Sequence, residues 1–96
     1  MHGVSRALAE EVTWDTQKVT AIDWRTYRPL FVGGDVPTIE TVLINQIEGP
    51  AMGAGETAVT VVAAAVGNAI FNATGVRIRQ VPFTPERVKA ALKLRT

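Results

Sequence analysis

The sequence has no cysteine, one histidine (His2) and almost balanced charge. Without cysteine the chain supplies no disulfide, no thiolate zinc site and no iron–sulfur ligation. A single histidine near the terminus gives no basis for a Ser/His/Asp set or a protein-ligated transition metal. Ten Lys and Arg against nine Asp and Glu leave a net charge of +1. That generates no large field, so nucleic acid and anionic membrane are poor partners for it. The opening MHGVSRALAEEV lacks the continuous apolar region of a secretory signal. The longest mostly apolar stretch, AVTVVAAAVGNAIF (58–71), is interrupted by Gly67 and Asn68. It reads as too short to span a bilayer and better as a buried helix.

What remains is a 96-residue chain, 47% hydrophobic and 20% charged, suited to one small folded unit or a piece of a larger body. Residues 1–12 have helical content without an entry cap, like the second half of a helix. EEVTW alternates, DTQK (15–18) makes a turn and VTAID (19–23) returns as a second strand. WRTYRPLFVGGDVP (24–37) is irregular and aromatic-rich, and such loops usually lie against something. The β-branched run TIETVLINQI (38–47) predicts a strand. The pattern from Thr57 to Thr74 is apolar nearly all round, as in a helix packed on most sides, and Gly75 would close it as a left-handed C′ residue. VRIRQV (76–81) alternates as a strand. Thr84 then caps a last helix (about 84–93), with Pro85 at its first position, Glu86 in its positive first turn, and Lys89, Lys93 and Arg95 toward its C-terminal end. The expected class is α+β: short strands packed with a buried central helix (about 57–74) and a C-terminal helix. A helix with no polar face in so small a unit, together with the aromatic loop, points to one part of a larger body.

The segment GPAMGAGETAV (49–59) sets a lone carboxylate, Glu56, among small residues at the mouth of that helix. Two readings stay open from residue chemistry. Glu56 can be a first-turn charge at the positive helix end, with the glycines forming a tight turn. It can also be a general base, with Gly53, Ala54 and Gly55 keeping the approach clear for a bulky cofactor and offering backbone N–H groups to its anionic oxygens. No P-loop lysine follows and GAGETA is not a Rossmann fingerprint. Asn68 and Asn72 read as satisfied core amides, Arg77 and Arg79 as a solvated or interdomain face, and Trp14, Trp24, Tyr27 and Phe31 as core or interface.

The second half resembles the C-terminal end of the large, molybdenum-cofactor-binding subunit of the xanthine dehydrogenase/aldehyde oxidase family. The matching residues are Gly53-Ala54-Gly55-Glu56, then Asn68-Ala69-Ile70 with Ala73 and Gly75, then Pro82, Thr84-Pro85-Glu86, Val88 and Ala91-Leu92. Upstream, GVSRALAEEV and VTAIDWRTYRPLFVGGDVPTIETVLI are similar to the same family, most of all to its bacterial isoquinoline oxidoreductase, nicotinate dehydrogenase and membrane-associated aldehyde dehydrogenase branch. Thr57 departs from the pattern, since many relatives carry Pro or Ser there.

The resemblance implies a specific chemistry. Glu56 matches a glutamate that sits beside molybdenum and acts as general base on a metal-bound hydroxyl, which attacks an electron-poor carbon of an N-heterocycle or aldehyde. It also implies molybdopterin, plain or as its cytosine dinucleotide, held mostly by upstream segments of a subunit several hundred residues long. Further implied partners are that remainder of the large subunit, an iron–sulfur small subunit and a small-molecule substrate. Alone, this chain would be catalytically silent. The non-enzymatic alternative is a stand-alone α+β module that forms homo-oligomers through its apolar helix and aromatic loop.

Overall fold

The computed structural model describes residues 1–31, 33–34 and 36–94. Arg95, expected near the end of the last helix, and Val32 and Asp35 of the aromatic segment lie outside the described residues. Four helices are present: α1 (His2–Leu8), α2 (Gly55–Thr60), α3 (Val62–Thr74) and α4 (Pro85–Lys93). A turn at Val61 divides α2 from α3. Two ends follow the sequence rules closely. Gly75 closes α3 with φ 71°, a left-handed conformation that a Cβ would penalise. Thr84 caps α4, its Oγ1 accepting the Arg87 backbone N–H at 3.3 Å, with Pro85 at the first helical position.

The core is small and forms where the two halves of the chain meet. α1 lies on α2 and α3. Gly3 makes that approach possible: a Cβ there would fall 2.8 Å from Val62 Cγ2. Gly67, the buried residue of α3, takes the Phe83 ring, and a Cβ would lie 3.1 Å from its Cζ. Phe83 and Ala7 are the buried hydrophobic residues, and the Phe83 N–H donates to the Ala7 carbonyl at 2.7 Å. Arg87 joins the ends once more, donating to the Pro82 carbonyl at 3.0 Å and to Glu11 Oε1 at 2.7 Å.

Several expectations are corrected. The central helix is exposed rather than buried, since Gly67 is the one buried position of α2 and α3. Too little of this chain reaches it to cover its apolar sides. It also starts earlier than expected, and the continuous run Gly55–Thr74 has 20 residues and a mean hydropathy of 1.4. By length and composition alone it is therefore long enough to cross a membrane; its contacts here are to α1 and Phe83. Residues 38–47 and 76–81 form no strand among the described residues, because a strand needs a neighbour's ladder and neither has one. The expected first hairpin is reduced to a bridge between Trp14 and Val19, its turn held by Asp15 Oδ1 accepting the Gln17 and Lys18 N–H groups. Of the two readings of Trp14, Trp24 and Phe31, core or interface, their exposure removes the core one. The Asn68 amide is exposed too, and accepts from Arg77 Nη1 at 2.6 Å rather than from a buried backbone. Arg77 also lies 4.0 Å over the Phe71 ring.

The chain is also unusually open. Its radius of gyration is 16.9 Å, where a compact domain of this length has about 12–13 Å. Its accessible surface is 8315 Å², against roughly 5,400 Å² for a folded monomer of this size.

Candidate functional site

Glu56 stands in the first turn of α2, exposed, with Ala54 as N-cap and no side-chain cap hydrogen bond. Its carboxylate has no hydrogen-bond or ion-pair partner among the described residues. No described part of this chain covers it. Gly53 and Gly55 are equally free: a Cβ on either would meet nothing within 4 Å. Neither has positive φ, a conformation confined among the described residues to Gly33 and Gly75. The tight-turn explanation of these two glycines therefore loses its physical basis. Within this chain, neither backbone strain nor a packed neighbour requires a missing side chain at 53 or 55.

Nor do the described residues assemble a metal cage, since no three His, Cys, Asp or Glu side chains converge. A metal at this loop would have to arrive with its own ligands. The open, small-residue stretch 53–55 next to a free carboxylate fits the approach of such a group, though not its full grip.

The most prominent cleft lies elsewhere. It has a volume of about 600 Å³ and opens between the end of α1, residues 28–31 with Gly34, and the start of α4, with Arg28, Phe31, Phe83 and Glu86 in its wall. None of residues 53–56 lines it. Sequence patterning carries no hint of this cleft, because its walls come from three separate parts of the chain.

Polar contacts anchor the aromatic segment beside that cleft. Ser5 Oγ accepts the Leu30 N–H at 2.9 Å, and the Tyr27 hydroxyl donates to Glu10 Oε2. Partial burial pushes the Glu10 carboxyl up, but hydrogen bonds from Ser5 and Tyr27 and the charges of Arg6 and His2 outweigh it and leave its pKa lowered. The same hydrogen bond to Glu10, helped by desolvation, raises the Tyr27 pKa. The two shifts define a window. A lowered carboxyl pKa stabilises the fold above 4.5, the group's ordinary value, and that contribution fades as pH falls through the lower folded value. A raised phenol pKa stabilises below 10.0 and fades as pH rises through the higher folded value. The protection of the amides at residues 27–30, relative to intrinsic exchange at each pH, should accordingly be greatest between these limits and fall on both sides. Tyr27→Phe should move the Glu10 titration back up toward 4.5 by NMR. An unmoved titration would contradict the assigned cause.

Comparison with known proteins places the chain. It is 40% identical over 92 residues to a nicotinate dehydrogenase subunit of Pseudomonas putida, covering 96% of the chain and 8% of that protein. It is 46% identical over 68 residues to the membrane-bound aldehyde dehydrogenase [pyrroloquinoline-quinone] of Gluconacetobacter polyoxogenes, covering 71% of the chain and 8% of that protein. It is 33% identical over 93 residues to the aldehyde oxidoreductase molybdenum-binding subunit PaoC of Escherichia coli, covering 90% of the chain and 13% of that protein. No family model and no solved structure matches. The relatives are oxidoreductases, named as dehydrogenases or as an aldehyde oxidoreductase subunit. The chain belongs to the xanthine dehydrogenase/aldehyde oxidase family. It spans about a tenth of the length of these curated relatives.

Proposed function

We propose that these residues are the C-terminal part of the molybdenum-binding large subunit of an α+β oxidoreductase, and that Glu56 is its general base. The observation that carries this reading is the coincidence at one loop. The carboxylate that matches the family's glutamate is unpaired, and the glycines before it are unexplained by this chain's own packing. The cofactor, molybdopterin or its cytosine dinucleotide, would supply an electron-accepting metal centre for oxidation of an aldehyde or an N-heterocycle. Glu56 holds the proton taken from the nucleophile that attacks the substrate carbon. Gly53, Ala54 and Gly55 keep side chains out of the volume in front of that carboxylate. Water is excluded by the remainder of the subunit, since Glu56 is open to solvent in this chain. Iron–sulfur clusters on a partner subunit would supply the outlet for the electrons.

One relative is named for pyrroloquinoline quinone and another for molybdenum, so metal content is a direct test. The subunit purified with its partners should hold close to one molybdenum per Glu56, and the 96-residue chain alone should hold none and show no turnover. Bound quinone without molybdenum in the assembled enzyme would overturn the cofactor assignment. Stoichiometric molybdenum in the isolated chain would overturn the division of labour. The base assignment is tested separately by Glu56→Gln in the assembled enzyme.

A further inference from the structure

Residues 38–46 lie in neither helix, turn nor strand, residue 47 enters the turn that the Gly49 N–H makes with the Gln46 carbonyl at 3.5 Å, and all of residues 38–47 are exposed. Val42, Leu43 and Ile44 are 82%, 88% and 90% exposed, with Ile39 and Ile47 beside them. No backbone N–H or C=O of residues 38–45 is hydrogen-bonded among the described residues. In an extended chain, Ile39, Leu43 and Ile47 point to one face and Val42 and Ile44 to the other. A strand whose centre, Val42 to Ile44, is apolar on both faces, with Glu40 and Gln46 toward its ends, belongs inside a layered sheet rather than at a solvated edge. Left bare, its unpaired backbone and apolar side chains would template aggregation.

We propose that residues 38–47 form an interior strand of a sheet contributed by the remainder of the large subunit, and that this insertion fixes the Glu56 loop. This rests on the family reading above. The amount of uncovered surface identifies the occupant. The chain exposes roughly 3,000 Å² more than a folded monomer of its length. A standard interface covers only about 800 Å² per partner, and even large obligate interfaces seldom cover more than about 2,500 Å². A second copy is too small a cover, whereas the relatives are about ten times this chain's length. The consequence for the site follows from the chain path. The loop 48–54 has two ends. The α2 end is held, through α3, by the packing of α1 at Gly3 and Val62. The other end is residue 47, which none of the described residues holds. Seating the strand pins the second end and so sets where Glu56 points.

The test replaces the matching 92 residues of the Pseudomonas putida nicotinate dehydrogenase subunit with residues 1–96 and compares this chimera with the isolated chain. Amide exchange across 38–47 should be at least 100-fold slower in the chimera. Ile44→Pro removes one ladder N–H from a segment that is unpaired in the isolated chain. It should leave that chain's helical circular dichroism unchanged, yet lower cofactor-loaded chimera at least tenfold, while Ile44→Val does not. Glu56→Gln in the chimera separates the two readings: it should assemble and protect 38–47 normally without turnover. Unprotected 38–47, a tolerated Ile44→Pro, or a chimera that does not assemble would each overturn the strand proposal. So would protection that arises in a dimer of the isolated chain, which would assign the strand to a second copy.

Discussion

Glu56→Gln should lower turnover of the assembled enzyme by roughly 10²–10⁴-fold, equivalent to about 2.7–5.5 kcal/mol of barrier. The amide has nearly the shape of the carboxylate and cannot take a proton. Glu56 has no hydrogen-bond or ion-pair partner among the described residues, so no structural contact of this chain is lost with its charge. What is lost structurally is the attraction to the positive end of α2, about 0.3–1 kcal/mol at most. The expected pattern is therefore a fall in kcat with molybdenum content, assembly and melting behaviour nearly unchanged. A helix-end role alone predicts the reverse: a small loss of stability and full turnover. Glu56→Asp is a useful second variant, because it keeps charge and helix-end attraction but withdraws the carboxylate by one methylene. It should recover stability while remaining slow.

Phe83→Ala should unfold the junction of α1, α3 and α4. Deleting a buried phenylalanine costs about 3–5 kcal/mol, and an isolated chain with so few buried side chains has little stability to lose. Phe83 is the largest of the buried hydrophobic residues, 7% exposed, with its ring on Gly67 and its N–H on the Ala7 carbonyl. Removing the ring leaves the Gly67 depression without the group that fills it. Loss of most helical circular dichroism in the isolated chain is the expected reading. Within the assembled subunit the same change should be milder, since other contacts then hold α3. An isolated Phe83→Ala chain as helical and as heat-stable as the parent would mean that this junction does not hold the chain together.

The contrast between these two residues explains what is legible in the sequence. The ends of α3 and α4 can be read because Gly75 and Thr84-Pro85 act through their own backbone neighbours. Glu56 can be singled out because its flanking glycines are a local anomaly. Phe83 carries no such signal, since its importance depends on Gly67 and Ala7, which lie far from it in the chain. The strands expected at 38–47 and 76–81 rest on side-chain type, and type cannot supply a partner strand. The burial expected of the central helix fails for a related reason. An all-apolar surface states that a cover is needed without stating that this chain provides it. The Asn68–Arg77 contact escapes a sequence reading because each residue, taken singly, has an adequate explanation.

The clamp made by Arg87 on Glu11 and Pro82 has one more consequence. It ties the first dozen residues to the last dozen, while Tyr27 on Glu10 and Leu30 on Ser5 tie the middle back to α1, so that residues 12–26 form an excursion between anchored ends. Lengthening an excursion of this kind costs little, about 0.6 kcal/mol for each doubling. Natural insertions and deletions should therefore gather there, around the turn at Asp15–Lys18, and be rare on either side of the clamp. The molecule pairs a segment free to diverge in length with a fixed frame that keeps Glu56 in step with α1.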